Sequence, residues 1–364
     1  MMEKYTPGLG IAAGAWMLKW DKLSQHLRPF EGVRDCVHVY LNFECILKNL
    51  TTYKRLGELI TYYRQDVVLE LESSIINLLA HYRGYFLRQY KEVNVYFYYT
   101  DLESDLEQEM TSFNKYYRSY YKNRYLSNPQ FRDMSDLLLH VILPEIALIL
   151  SYLPGCYFVR SKGFDSSVVP ALLADMTAGE KGKSIDHVVI SGDVFDSQYL
   201  FRPEFQMVYI KRRFQHFGVS STVSDTVTSI VKNESPFDLA IFNSELYFKL
   251  LLSIKGSKIR NIKSAKGFGY GKFMNLLKEG LERGIVLRDF SSIGSITELF
   301  PTKYREDIVQ AFRCINLDTQ VAMTNEADRE SIRGQLIDKS DIESVQKLND
   351  KRFVEYPLKL IYLI

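Results

Sequence analysis

An α/β fold, with a central, mostly parallel twisted sheet flanked by helices and then a mainly helical C-terminal region, is what this sequence predicts. Three observations predict it. Short runs of β-branched and aromatic residues recur at Val37–Leu41 (VHVYL), Val93–Tyr99 (VNVYFYY), Cys156–Arg160, Val188–Ser191 (VVIS) and Gln206–Ile210. Runs that are apolar at nearly every position suit strands covered on both faces. Between them lie stretches with helical spacing, such as residues 56–90, where leucines and isoleucines recur every three or four residues through Leu69–Leu79. Alternating strands and helices argue for a parallel sheet. From about Phe237 onward the strand signals stop and helical patterns take over.

Taken in order, residues 1–32 read as an N-terminal extension. Its apolar run lacks a basic leader and meets a lysine early, so it is not read as a signal peptide. The first strand runs into Asn42-Phe43-Glu44 and a helix from Cys45. The second ends at Thr100-Asp101. Residues 101–129 are basic and rich in tyrosine in their second half (FNKYYRSYYKNRYLSNP), which suits either a solvated helix or a surface that stacks on bases and neutralises phosphates. Asp133–Leu153 reads as a long helix kinked at Pro144. Lys162–Ser167 precedes a helix over Val168–Asp175. Gly192–Asp196 lies at the end of the fourth strand, and Lys211-Arg212-Arg213 reads as either a solvated edge or a DNA contact. The expected division is an α/β unit over 33–236 and a helical unit over 237–364.

Composition narrows the function classes. In 364 residues, 46 Lys and Arg balance 44 Asp and Glu, a net charge of +2, so any nucleic-acid site must be a local concentration of charge. Cys36, Cys45, Cys156 and Cys314 show no metal spacing and read as reduced thiols. No apolar stretch reaches the roughly 18 residues of a membrane span, and a cytoplasmic protein is expected.

The stretch Lys255–Leu277 stands out. Its core, Lys266-Gly267-Phe268-Gly269-Tyr270-Gly271-Lys272, is a glycine-rich turn between helical patterns at Leu246–Ile254 and from Phe273. Glycines at 267, 269 and 271 permit positive φ and remove side-chain bulk. Backbone amides at the next helix start can then face an anion. With Lys263, Lys266 and Lys272 around it, the turn is a candidate clamp for a nucleic-acid backbone.

In an open parallel sheet, ligands gather at the carboxyl ends of the strands. There the chain places Asn42, Glu44, Asp101, Asp165, Asp193 and Asp196. Converging carboxylates are how hard divalent ions are held for phosphodiester hydrolysis. Asp and Ser at strand ends equally serve as helix caps.

These pieces, in this order, resemble the flap-endonuclease family of 5′-nucleases, particularly its bacteriophage branch and the exonuclease domain of bacterial DNA polymerases. The resemblance runs from about Arg34 to Leu277. It comprises VYLNFE, the strand ending in Asp101, YYKNRY with Lys122 and Arg124 as an arch-like segment, KGFDSSVVPALLAD, HVVISGDVFDSQYL, and LLLSIKGSKIRNIKSAKGFGYGKFMNLL as a helix–three-turn–helix element over 246–280. It implies a PIN-like fold and backbone contacts to DNA from Lys122, Arg124, Arg260, Lys263, Lys266, Gly267, Gly269, Gly271 and Lys272. It also implies a monovalent cation at the Gly267–Gly271 hairpin. The departures lie in the metal site. Asn42, Ser167, Val168, Phe195, Ser257 and Arg260 stand where the family has acids, leaving Asp101, Asp165 and Asp193. Each loss removes charge that a divalent pair needs, and Arg260 adds repulsion.

The resemblance therefore implies a degenerate nuclease that binds duplex or branched DNA without cutting it, in replication, repair or packaging, as in a virus. One alternative is a residual Mg²⁺-dependent 5′-nuclease using Asp101, Asp165 and Asp193. The other is a scaffold or virion protein that reuses the fold within a protein complex.

Overall fold

The computed structural model describes residues 23–28, 32–43, 45, 78–100, 155–161, 164–178, 184–213, 216–231, 241–256, 265–282, 298 and 300–336. Asp101, Lys122, Arg124, Arg260, Lys263 and the expected helix Asp133–Leu153 lie outside them. Six strands form one sheet: β1 (Arg34–Asn42), β2 (Tyr90–Thr100), β3 (Cys156–Ser161), β4 (Ile185–Ser191), β5 (Phe205–Arg213) and β6 (His216–Ser220). Their order is β3-β2-β1-β4-β5-β6. The first five run parallel, and β6 returns antiparallel to β5.

Five strands fall where the apolar runs predicted, each extending one or more residues beyond the expected run. Val39 pairs with Val95 on one side and Val188 on the other, so β1 is central, and its residues from Cys36 to Asn42 are all buried. The expected helical stretch 56–90 ends earlier than the spacing suggested. Residues 78–86 are helical, 87–89 form a turn, and Tyr90 already begins β2. The sixth strand, HFGVS, was not expected. It is short and contains a glycine, and it exists as a strand by pairing Lys211 with Gly218 and Tyr209 with Ser220. The basic Lys211-Arg212-Arg213 run thus closes β5, paired with the edge strand β6.

Helices follow the strands: α1 (Val169–Thr177), α2 (Val223–Val231), α3 (Glu245–Lys255), α4 (Tyr270–Glu282), α5 (Thr302–Ile315), α6 (Leu317–Met323) and α7 (Glu326–Arg333). Two cores result. One packs Tyr40, Tyr96, Tyr98, Val159 and Tyr209 of the sheet against Val169, Leu172 and Leu173 of α1. The other joins Phe195 to Phe248, Leu251, Phe273, Leu277, Ile308 and Phe312 of the helical layer. All four cysteines are free thiols, and burial pushes the Cys314 thiol up to about 11. No helix among the described residues is long and apolar enough to cross a membrane.

Two interior features generate predictions. Gly155, at φ +68°, leads into β3, where its carbonyl accepts from Val95 N at 2.7 Å. A Cβ there would stand 2.5 Å from Val93 O. Gly155→Ala combines a backbone clash with a disfavoured φ, and should lower unfolding free energy by about 2–4 kcal/mol in denaturant melts.

His187 of β4 is buried beneath Phe205, its Nδ1 lying 2.8 Å from Tyr40 Oη. Burial lowers its pKa to about 4, overriding the pull of Asp186 and Glu204 in the other direction. An unfolded imidazole titrates near 6.5. Between these values the unfolded chain binds the extra proton, so stability is full above pH 6.5 and falls as the pH drops toward 4. The loss reaches roughly 3 kcal/mol. His187→Asn should flatten that portion of the stability–pH curve relative to the unsubstituted protein.

Candidate functional site

The strand order identifies where a ligand site should be. From β1 the chain steps outward through β2 and β3, then crosses back so that β4 lies on the other side of β1. The gap between the carboxyl ends of β1 and β4 is therefore the topological switch point, the usual crevice of open α/β sheets.

That point is occupied by the protein's own polar groups. β1 ends at Asn42, which lies opposite Tyr98 of β2, and β4 ends at Ser191. A tight turn, Gly192 to Phe195, then leads into the 3-10 helix Asp196–Phe201. Asp196 projects back under the strand ends. Its Oδ2 accepts from Asn42 Nδ2 at 2.7 Å, Tyr98 Oη at 2.9 Å and Ser191 Oγ at 2.5 Å. Asp196, Ser191 and Tyr98 are 0% exposed and Asn42 2%, so solvent does not reach the cluster. Burial, and then the Asp196 charge, push the Tyr98 phenol well above its ordinary range, which keeps it protonated as a donor.

The same groups aim the backbone. Asn42 Oδ1 accepts from Cys45 N at 3.0 Å, and Ser191 Oγ accepts from Asp193 N at 2.9 Å. Asn42 thus uses both ends of its amide, one for the carboxylate and one for the segment leaving β1.

The two described acids among the expected remnants act as caps. Asp165 is buried and accepts from Ser167 N at 2.9 Å, opening the 3-10 helix Ser166–Val168. Asp193 Oδ1 accepts from Phe195 N at 3.0 Å across the turn after β4. Among the described residues no group of three or more His, Cys, Asp and Glu is placed to hold a metal ion. At the switch point Asp196 Oδ2 meets three donors, and Asn42 turns its NH₂ toward that oxygen.

Sequence reasoning placed Asp196 among the strand-end acids but gave the fourth-strand role to Asp193. It missed Tyr98 and Ser191 altogether. The register supplied a signal, since Asn42 pairs with Tyr98 across β1 and β2.

The glycine turn is the second candidate. α3 ends at Gly256, φ +64°, whose N–H donates to Leu252 O at 2.9 Å. The chain re-enters at Ala265, and Phe268 N donates to Ala265 O at 2.9 Å. Gly267 adopts φ +81° at the crown of this turn. Gly269 and Gly271 do not adopt positive φ. Gly269 instead accepts from Phe273 N at 3.1 Å as the start of α4, and Gly271 lies in its first turn. A Cβ at either would meet nothing within 4 Å, so at these two positions the glycines leave open space above the backbone. Lys266 and Lys272 are exposed, and Lys272 Nζ donates to Gly267 O at 2.6 Å, closing the turn with a cation. Phe268 anchors the turn by packing on Phe300 and Tyr304.

These features define an α/β protein with a sealed polar knot at its switch point and an exposed basic turn in its helical layer. A solved structure of the T5 D15 protein co-crystallised with metal ions is similar at 11% sequence identity and a TM-score of 0.43, over 82% of this chain and 98% of that one. No family model matches the chain, and no curated protein matches it.

The knot can be tested directly. Asp196→Ala strands three buried donors and should cost about 3–5 kcal/mol in chemical denaturation. Asn42→Asp, which sets two carboxylates face to face, should be destabilising at pH 7 and less so at pH 5, where one can take up a proton.

Proposed function

We propose that this protein is a catalytically inactive homologue of the 5′-nucleases that grips duplex or branched DNA through its sugar–phosphate backbone. The observation that carries the reading is the turn at Lys266–Lys272. Its crown is a positive-φ glycine, its open side is lined by Gly269 and Gly271, and it delivers the chain into the N-terminus of α4 beside two exposed lysines. First-turn amides have no intrahelical acceptor, and the helix dipole favours an anion there. Such contacts hold a backbone in register without reading bases. The order of motifs along the chain supports the same family.

The absence of cutting is argued from side chains that are present. Where phosphodiester hydrolysis would need a cluster of free carboxylate oxygens, Asn42, Ser191 and Tyr98 turn donors onto Asp196, while Asp165 and Asp193 hold backbone amides. DNA, a role in replication, repair or packaging, and a monovalent cation at the hairpin all belong to this reading.

Lys266→Glu combined with Lys272→Glu should weaken binding of labelled flap or duplex DNA at least tenfold at low salt, measured by gel shift. Absence of any shift by the unsubstituted protein would sink the proposal. Incubating a 5′-flap substrate with Mg²⁺ or Mn²⁺ should yield no cleavage; products that disappear in Asp193→Ala would restore the enzymatic alternative.

A further inference from the structure

The basic turn does not stand alone. α5 begins directly beside it, and its first turn carries Lys303 and Tyr304. Phe268 packs on Tyr304 with ring centroids 5.0 Å apart. A Cβ built on Gly267 would lie 3.8 Å from Tyr304 Oη, so the hydroxyl stands next to the crown of the turn. Lys303 Nζ sits 4.8 Å from the centroid of the same ring, within cation–π range. The phenol is drawn below its ordinary pKa by the ammonium of Lys303 and, after a small opposing effect of burial, by that of Lys272. Both cations therefore flank one hydroxyl.

Lys266, Lys272 and Lys303 are exposed, and among the described residues none of them pairs with a carboxylate. Arg305, two residues on, is differently placed, donating to the carbonyls of Phe300 and Glu298 and so securing the entry to α5. Two separate elements thus present three lysines and one hydroxyl around a glycine crown, with Glu306 and Asp307 exposed one turn further along α5. Like charges without an ion-pair partner repel one another, and an anion between them relieves that repulsion.

We propose that Lys303 and Tyr304 of α5 form the second jaw of the DNA-backbone site, so that phosphates are held between the Lys266–Lys272 turn and the start of α5. This rests on the DNA-binding reading above and extends it to an element outside the helix–turn–helix stretch. Lys303 supplies charge. Tyr304 supplies an O–H donor whose position is fixed by packing on Phe268, so little freedom is lost when it meets a phosphate oxygen. At the crown it is the positive φ that calls for Gly267, since a Cβ there would make only ordinary contact with the Tyr304 hydroxyl.

The test is a fluorescence-anisotropy titration of a labelled DNA duplex at salt concentrations from about 50 to 200 mM. Lys303→Ala should weaken binding about three- to tenfold and lower the slope of log K against log salt by about 0.9, the signature of one lost phosphate contact. Tyr304→Phe should weaken binding a few-fold with the slope unchanged, because it removes a hydroxyl and no charge. Lys303 is exposed and Tyr304→Phe keeps the ring that packs on Phe268, so thermal melts of each variant should match the unsubstituted protein. If the unsubstituted protein binds and the Lys266/Lys272 double reversal abolishes binding, while Lys303→Ala keeps the original affinity and slope, the second jaw is wrong and the turn reading stands. If the unsubstituted protein does not bind the duplex, both are wrong.

Discussion

The structure depends on how one buried carboxylate is satisfied. Asp196 is fully enclosed at the carboxyl edge of the sheet, and its neighbours are an amide, a phenol and a hydroxyl. Isolated buried charge is very costly, while hydrogen bonds from well-placed donors to a charged acceptor contribute about 1.5–3 kcal/mol each. The three donors come from β1, β2 and β4, so one side chain fixes the relative positions of three strand ends. The identity of residue 42 follows. An aspartate there would stand at hydrogen-bonding distance from Asp196, and two such carboxylates cannot both be ionised without a cation between them. Asparagine has nearly the same shape and removes the conflict, while its remaining oxygen still accepts from Cys45 N.

The knot is coupled to the helical layer through the 3-10 helix that Asp196 begins. Two residues into it, Gln198 donates to Ile315 O at 3.0 Å and accepts from Leu317 N at 3.1 Å, bridging the junction of α5 and α6. At its end Arg202 reaches Asp318, which also accepts from Lys249 of α3 at 2.5 Å. Lys249 is almost wholly buried and also contacts Glu245 and Asn316. Burial alone would raise the Asp318 carboxyl pKa, but the Lys249 ammonium and the Arg202 guanidinium outweigh it and leave it below the ordinary range. The far end of α5 carries Lys303 and Tyr304. A continuous set of hydrogen bonds and ion pairs thus runs from the switch point to the helix that borders the basic turn.

Much of this was legible in the sequence. β1 and β2 announced themselves because strands buried on both faces need unbroken apolar runs, and VHVYL and VNVYFYY have few other interpretations. β6 did not, since five residues containing a glycine carry little local preference and become a strand only by pairing with β5. At the site, local logic succeeded where the deciding partner was local: Asp165 and Asp193 cap amides two residues away. It failed where the partners were distant. Tyr98 and Asp196 are 98 residues apart in sequence and meet only because β1 lies between β2 and β4. The three-glycine turn is a related case. Glycine permits positive φ but does not require it, and only at Gly267 does the chain use that freedom.

The distribution of charge argues for what the two sites can hold. Over the whole chain acids and bases nearly cancel, so long-range attraction cannot bring a polyanion to the protein unaided, and any preference must be local. Among the described residues at the switch point the balance is internal, the buried Asp196 carboxylate meeting three neutral donors through Oδ2. At the turn the balance is open. Lysines from two elements face solvent around a backbone stripped of side chains at Gly267, Gly269 and Gly271. Each ammonium left without a carboxylate gains from a phosphate, and a backbone with regularly spaced phosphates can satisfy several together. The carboxylates of Asp165, Asp193 and Asp196 accept hydrogen bonds from donors of the fold itself, while the lysines of the turn stand at its surface.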